Sequence, residues 1–163
     1  MSTILDRLRS SGGPECEVHT LELTCSAWAE PLLLCNQYFD FTGTTEDGRT
    51  LVFQAVAFDG SFPKKDNSGS QTLSIAIDNV TGEAQRRVDQ ANAAGATIQI
   101  TLRTFLDSDP SAPAEPPFFF DALSAQTEGP TTSFTAGYFD LLDTAWPRFR
   151  YTDQFSPGVR YIT

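Results

Sequence analysis

The sequence is short of basic residues and cysteines and has no long apolar run, and each shortage excludes a class of function. Lys and Arg number 11 against 21 Asp and Glu, so the formal net charge is -10. Because such a surface repels phosphates over most of its area, we expect no specific binding of nucleic acid. The longest apolar run near the start covers residues 32–35, far below the ~20 residues that span a bilayer, so we expect no membrane insertion.

The few possible metal ligands do not form a recognisable motif. The sequence contains 3 cysteines and 1 histidine, and the candidate set is Cys16, His19, Cys25 and Cys35. In a strand, residues three apart point to opposite faces, so Cys16 and His19 converge only if the strand begins after Cys16. Separate thiols are favoured over a zinc or iron–sulfur site, which stays an alternative, and a Cys–His nucleophilic pair is weaker still.

Acidic residues cluster only where turns are expected. Glu46 and Asp47 lie near Asp40, and Asp107 lies near Asp109. Paired carboxylates serve glycosidases and calcium loops, but Asp and Gly also favour turns for backbone reasons alone. There is no glycine-rich phosphate loop either. We therefore predict that the protein is not an enzyme and has no cofactor.

The length of 163 residues fits one domain with a sizeable core. We predict a mainly β (α+β) domain over residues 15–140 with one inserted helix at about 82–94. A short N-terminal helix over residues 1–12 precedes it, because Ile4, Leu5 and Leu8 have helical spacing and no apolar signal-peptide core is present. An irregular C-terminal arm over residues 141–163 follows it. We expect the product to stay in the cytoplasm of the cell that makes it, unless it leaves as part of a larger assembly.

Period-two alternation predicts the first half of the domain. Within residues 18–25 it places Leu21, Leu23 and Cys25 towards a core, with Glu22 and Thr24 towards solvent. The Asp47-Gly48 pair predicts a hairpin between strands at residues 38–41 and 50–54.

The second half begins with a strand, a helix and a strand. The strands are expected at residues 72–77 and 97–103. Between them, Thr81 or Asn79 would cap a helix from Glu83 to Ala94 that stops at Gly95. Its narrow apolar face, expected to lie against a sheet edge, consists of Ala84, Val88, Ala91 and Ala94.

Two features follow the second of these strands. Four prolines make residues 108–117 an extended surface loop. A second hairpin is expected around residues 128–130.

The C-terminal arm differs chemically from the rest of the chain. Arginines alternate with large aromatic residues, and both kinds are enriched at protein interfaces. The predicted interface residues of the arm are Trp146, Pro147, Arg148, Phe149, Arg150, Tyr151 and Phe155. The rings could instead pack on their own β domain, with the arginines meeting acidic surface of the same or a neighbouring subunit.

Two further basic pairs are candidate contacts with a neighbouring subunit. Lys64 and Lys65 lie in a polar loop, and Arg86 and Arg87 are expected on the exposed side of the helix. For the arginine pair, a solvated helix face with Glu83 as partner is the alternative. The loop over residues 110–117 could also reach a neighbour.

The order of these segments resembles a family of phage and prophage minor tail proteins. The similarity runs through EDGRTLVF at residues 46–53, LSIAIDNV at 73–80, IQITLR at 98–103, and a closing DLL before WPRFRY at 146–151. The family is similar to the lambda minor tail proteins M and L and to distal tail proteins. The resemblance implies an antiparallel β-barrel or sandwich of tail-tube type. The lambda L proteins add a four-cysteine iron–sulfur domain, and the cysteines here are too few to carry that cluster over.

The same resemblance implies a structural role at the virion tail tip or baseplate. The protein would form a symmetric ring that joins the tail tube to the hub and fibres, with the tape-measure protein as a further partner. A hexamer is favoured for a distal-tail role and a trimer is possible for a hub role. The alternative is a small β-sandwich that binds host glycans through loop aromatics such as Tyr38 or Phe62.

Overall fold

A computed structural model describes residues 16–61, 72–78 and 82–137. Within these ranges, nine strands form one mixed sheet and one helix packs against it. The strands are β1 (Glu17–Thr24), β2 (Leu32–Cys35), β3 (Phe41–Thr44), β4 (Thr50–Ala55), β5 (Phe58–Ser61), β6 (Thr72–Asp78), β7 (Gln99–Leu106), β8 (Phe118–Glu128) and β9 (Thr131–Gly137). The helix, α1, spans Glu83–Ala94. The prediction of a mainly β domain with one inserted helix is confirmed here, whereas the predicted N-terminal helix and C-terminal arm lie outside the described residues.

The strand order is β3-β4-β2-β1-β7-β8-β9-β6-β5. Neighbours are antiparallel except β2 and β4, which run parallel. The central strands β1 and β7 pair along their whole length, from Glu17 opposite Leu106 to Thr24 opposite Gln99. β6 and β7 flank α1 in the chain but are separated in the sheet by β9 and β8. The strand, helix and strand predicted from sequence therefore form in that order without becoming neighbours.

One face of the sheet carries the main core. Leu21 and Leu23 of β1 lie directly opposite Leu102 and Ile100 of β7, and α1 packs on this face through Val88. The other buried members of this cluster are Leu32, Leu34, Leu73, Ile75, Ile77, Ala91, Ile98, Phe120, Phe134 and Ala136. The burial of these side chains supplies the dominant favourable term for folding.

The helix begins and ends at the predicted residues. Gly95 adopts a left-handed conformation at φ 61°, and its N–H donates to Ala91 and Asn92 carbonyls, as expected of a glycine cap. Gly82 occupies the N-cap without a side-chain hydrogen bond; the predicted caps Asn79 and Thr81 lie outside the described residues. The expectation that Ala94 is buried is wrong: at 3.6 residues per turn it lies about 120° around the helix from Val88 and is exposed.

The β3–β4 hairpin covers part of the second sheet face. A smaller core of Val18, Cys35, Phe53 and Phe105 lies beneath it. A Cβ at Gly43 of β3 would be 2.9 Å from the Phe41 ring and 3.1 Å from the Phe105 ring, so the close approach of the strand requires glycine. The Thr44 N–H also donates to the Pro110 carbonyl at 2.9 Å. The hairpin therefore curls over β1 and β7.

Both predicted hairpins are present. Gly48 has φ 77° and Gly129 has φ 59°, the conformations that make glycine favourable in these turns. The expectation of a strand over residues 38–41 is wrong, because β3 begins only at Phe41 and the preceding residues form an exposed bend. In the second hairpin, β8 contains an irregularity between Ala122 and Ser124.

The proline-rich segment over residues 108–117 is a surface loop, as predicted. It is attached to its own sheet, since the Ala114 N–H donates to the Thr104 carbonyl at 2.8 Å and Pro110 accepts from Thr44. Any contact with a neighbour would therefore use the exposed residues of an anchored loop. In the described part of the chain, no helix is long and apolar enough to cross a membrane.

Candidate functional site

A buried ion cluster joins the β3–β4 hairpin to the centre of the sheet. The Arg103 side chain is only 2% exposed. Its Nη1 donates to Glu22 Oε2 at 2.6 Å, while Nε and Nη2 donate to the two oxygens of Glu46 at 2.8 and 2.9 Å. Glu46 lies in the hairpin turn, so this bidentate bond fastens the tip of the hairpin to β7. Planar guanidinium and carboxylate groups make such paired bonds strong and directional.

Arg103 and Glu46 hold each other in their charged forms. The hydrogen bonds from Arg103 are the main reason that the pKa of Glu46 lies below its usual range. Burial alone would lower the pKa of Arg103, but bonds to Glu46 and Glu22 outweigh it and raise that pKa. Arg49 adds a bond to Glu22 Oε1 at 3.2 Å. The carboxylates are committed to structural bonds, so the arrangement favours a structural clamp over acid–base chemistry.

The prediction that Glu22 faces solvent is wrong. The residue is 4% exposed, and β1 is covered on both faces. Alternation assigned Glu22 correctly to the face opposite Leu21 and Leu23, but it could not show that the hairpin covers that face. A buried carboxylate is tolerable there because Arg103 compensates its charge.

The candidate metal ligands are not brought together. His19 and Cys35 lie on opposite faces of the sheet, because Cys35 is opposite Thr20 in the β1–β2 register. Cys16 is exposed and Cys25 half-buried, and burial raises the pKa of the Cys35 thiol. In the residues the structure describes, no three His, Cys, Asp or Glu side chains are placed to hold a metal ion.

His19 belongs to a small polar chain with the proline-rich loop. Its Nδ1 lies 3.3 Å from Thr104 Oγ1, and that hydroxyl donates to Glu115 Oε1 at 2.8 Å. The Asp109 carboxylate accepts from the Ser111 backbone and hydroxyl, which lowers its pKa. These bonds shape the loop, in agreement with the view that its acids serve the turn.

The arginine pair on α1 divides into two environments. The side chain of Arg86 is 68% exposed and lies 3.9 Å from Glu83, as expected of a solvated face. The prediction that Arg87 is also exposed is wrong, because its guanidinium lies 5.6 Å from the centre of the Trp28 ring and donates to the Glu30 carbonyl. Trp28 Nε1 in turn donates to the Arg87 carbonyl at 3.0 Å. Arg87 thus ties α1 to the β1–β2 loop and leaves Arg86 as the candidate contact.

The remaining predicted interface residues cannot be placed on this framework. Lys64 and Lys65, and the arm residues Trp146, Pro147, Arg148, Phe149, Arg150, Tyr151 and Phe155, lie outside the described residues, as does Phe62. Their role stays a prediction.

An aromatic surface at the β2–β3 bend was only partly foreseen from sequence. Tyr38 is 95% exposed and Phe39 is 84% exposed. Sequence reasoning assigned both residues to a strand over residues 38–41 and named only Tyr38 as a loop aromatic, for the glycan-binding alternative. The available signal was the adjacent Asp40, whose carboxylate accepts from the Ala55 N–H at 3.0 Å and fixes the bend. We call this pair the Tyr38–Phe39 surface.

A family model described as "Domain of unknown function (DUF1833)" matches residues 3–151. The chain therefore belongs to the DUF1833 family. No curated protein matches it.

Proposed function

We propose that the protein is a structural component of a phage tail tip or baseplate and forms a symmetric ring between the tail tube and the hub and fibres. The resemblance of its sequence to minor tail proteins supplies the class, and the mainly β fold is compatible with it. The β3–β4 hairpin, which curls over β1 and β7, supports the tail-tube type of barrel or sandwich. In this proposal the protein has no catalytic activity, and six copies form the ring, or three in a hub role.

The Tyr38–Phe39 surface is the observation that carries the assembly proposal. Large aromatic side chains bury a large apolar area when subunits associate, and for this reason they are enriched at interface cores. Two adjacent rings that remain this exposed on one subunit are better suited to a contact than to the free surface. Their position on a bend fixed by Asp40 presents them in a defined direction.

The distribution of charge also supports passage of DNA through the ring. The described arginines all bind acceptors of their own domain: Arg49, Arg86, Arg87 and Arg103 each lie within 4 Å of a carboxylate. Among the described residues, most of the exposed charge is therefore negative, and a lumen lined by these residues would not retain phosphates. A ring reconstruction with a neutral or basic lumen would contradict this part of the proposal.

The assembly proposal is tested by measuring ring formation directly. We expect light scattering on the purified protein, alone or with its tail-tube neighbour, to give a mass of six or three copies, and electron microscopy to show rings. The Tyr38→Ser/Phe39→Ser variant should fold but fail to form them. Leu123→Ser is the matched control, since it also removes an exposed apolar side chain. Leu123 is 64% exposed and lies on β8, away from the β2–β3 bend. A strict monomer in the presence of the neighbour, or normal rings from the double variant, would contradict the proposal.

A glycan-binding adhesion module is the second candidate, because Tyr38 also has the exposure that stacking on a sugar ring requires. Binding of the isolated protein to a glycan array, lost in Tyr38→Ser, would favour it. Absence of binding on the glycan array, together with rings seen by electron microscopy, would favour the structural role.

A further inference from the structure

An open groove lies on the face of β7 and β8 that is opposite the main core and α1. Its volume is about 320 Å³, and it is lined by Gln99, Ile100, Thr101, Phe119, Phe120 and Asp121. Ile100 and Phe120 belong to the main core, so the side chains on the groove side are those of the alternate residues, Gln99, Thr101, Phe119 and Asp121. Phe119 is 61% exposed. The groove, which we call the β7–β8 groove, therefore presents an accessible aromatic ring.

The large apolar side chains that are exposed in the described part of the chain form two groups. Tyr38 and Phe39 make up the Tyr38–Phe39 surface, and Val52 lies on the adjoining β3–β4 hairpin. Phe119 and Leu123 lie on β8, where Phe119 lines the groove. A ring of three or more copies needs two different surfaces on each copy, because its subunits meet head to tail. The two groups match that requirement.

Within one subunit the two surfaces are too far apart to meet. The β2–β3 bend follows Cys35, which lies opposite Thr20 of β1, whereas Gln99 of the groove lies opposite Thr24. The four-residue step from Thr20 to Thr24 spans about 13 Å, and the three strand spacings from β2 to β8 span about 14 Å. The Tyr38–Phe39 surface thus lies roughly 20 Å from the groove of its own subunit. Its rings can enter this groove only on another copy.

The groove has the size that two aromatic rings require. A cavity of about 150 Å³ holds one benzene molecule. At about 320 Å³, the groove has room for roughly two rings of that size. Aromatic side chains that fill a pocket on the partner are the usual anchors of a protein interface.

The groups in the groove also match the chemistry of the Tyr38–Phe39 surface. The exposed ring of Phe119 can pack against an incoming ring in an offset or edge-to-face arrangement. Asp121 is half-buried, and its side chain forms no hydrogen bond among the described residues. A phenol hydroxyl supplies the donor that this carboxylate accepts, and hydrogen bonds to a charged group are strong. Tyr38 brings that hydroxyl together with a ring.

We propose that the rings of Tyr38 and Phe39 of one copy insert into the β7–β8 groove of the next copy, where the Tyr38 hydroxyl donates to Asp121. This inference rests on the proposed ring and adds which surface of one subunit faces which surface of its neighbour.

Mixing two defective variants tests the contact. Tyr38→Ser/Phe39→Ser removes the inserting rings, Phe119→Ser/Asp121→Ser removes the groups in the groove, and each variant keeps the other surface. We expect each variant alone to be folded by circular dichroism but to associate at least about thirtyfold more weakly than the wild type. In the mixture, light scattering should show a one-to-one pair that grows no further, because each copy has only one intact surface.

Leu123→Ser is the matched control for the groove variant. Leu123 is also on β8 and is 64% exposed, but it does not line the groove. This variant should assemble like the wild type. Loss of assembly in Leu123→Ser equal to that in Phe119→Ser/Asp121→Ser would overturn the assignment of the contact to the groove.

A double-mutant cycle tests the bond between the hydroxyl and the carboxylate. Tyr38→Phe and Asp121→Ala should each weaken association by about tenfold, and their combination should weaken it no further than the larger single effect. Additive effects would show that the Tyr38 hydroxyl does not bind Asp121, and would overturn that part of the proposal.

The outcomes separate this contact from the proposed ring. Normal rings from Phe119→Ser/Asp121→Ser, or a mixture without pairs well above the concentration at which the wild type assembles, would overturn the contact and leave the ring standing. A wild type that stops at two copies, with pairs in the mixture, would uphold the contact and contradict the ring. Absence of association in the wild type and in the mixture alike would overturn both.

Discussion

The sheet face opposite the main core is covered at one end of β7 and open at the other. Under the β3–β4 hairpin, Arg103 is 2% exposed and its charge is matched by Glu22 and Glu46. Further along β7 the face is open, and Asp121 lies beside the exposed ring of Phe119 without a partner among the described residues. At the covered end, the charges are paired within one subunit. At the open end, the Asp121 carboxylate and the Phe119 ring are accessible to a binding partner. Burial thus separates the part of the face that stabilises the fold from the part that can recognise another segment.

The largest effect is expected from breaking the covered end. Arg103→Met should lower the free energy of unfolding by about 3–5 kcal/mol, because it leaves Glu22 buried with only Arg49 to offset its charge. Urea denaturation measures the change. Arg86→Met is the control, since the side chain of Arg86 is 68% exposed and its loss should cost below about 0.5 kcal/mol. Equal losses in the two variants would show that the cluster is not a clamp.

A smaller effect that depends on pH is expected at Glu46. The folded protein holds the pKa of this carboxyl below its ordinary value of 4.5, so its stabilising contribution is present above pH 4.5 and is lost as the pH falls through the folded value. Glu46→Gln should therefore lower stability by about 2 kcal/mol at pH 7, from the loss of its charge-assisted bonds. The gap to the wild type should close in acid.

Unfolding of Glu46→Gln and the wild type across the range from pH 7 to pH 3 checks this expectation. Asp47→Asn serves as control, because the Asp47 side chain is 65% exposed and lies 3.6 Å from Arg49, where the pair contributes little. A gap for Glu46→Gln that stays constant with pH would argue against an ionised Glu46 in the folded state.

The close approach of the hairpin should be sensitive to one methyl group. Gly43→Ala would place a Cβ 2.9 Å from the Phe41 ring, and such overpacking typically costs about 1–3 kcal/mol. In a background with Phe41→Leu, the same change should cost less, because the smaller side chain can yield. Thermal unfolding of the wild type, the two single variants and the double variant measures the two costs. An equal cost of Gly43→Ala in both backgrounds would show that the strain does not involve the Phe41 ring.

The smallest effect on folding, with a large effect on assembly, is expected from the arm. Arg148→Glu/Arg150→Glu should change the free energy of unfolding by about 1 kcal/mol or less but block tail assembly, because reversed charges would be repelled by acidic surface. Circular dichroism and the yield of infectious particles measure the two effects. Arg86→Glu tests whether charge reversal on the helix acts in the same way. Normal infectious particles from the double variant would indicate that the arm has no role in assembly and only packs on its own subunit.

Local patterns predicted the elements well. Alternation placed most of the strands, though not β5 or the start of β3. Asp47-Gly48 and residues 128–130 placed the hairpins, and Gly95 ended α1. These features depend on the backbone and on near neighbours, which the sequence displays directly. The pattern also separated the two faces of β1, although it could not show what covers each face.

The misses arose from contacts between residues far apart in the chain. Glu22 is paired with Arg103, 81 residues away, and Arg87 is partly covered by Trp28, 59 residues before it. Neither polar residue carries a local sign of burial, so both were assigned to solvent. The cysteines and His19 show the converse, since nearness in sequence did not bring them together in one site.

The sequence by itself determined most of the strands, where the helix lies, and that the chain is acidic with basic charge concentrated beyond residue 146. These follow from side-chain periodicity, turn residues and composition, which need no knowledge of distant contacts. Only the tertiary structure decided that Arg103 is enclosed, that Tyr38 and Phe39 are exposed, and that Asp121 and Phe119 line an open groove. The reason is that burial depends on which element covers a face, and here a hairpin covers one end of β7 and leaves the other open.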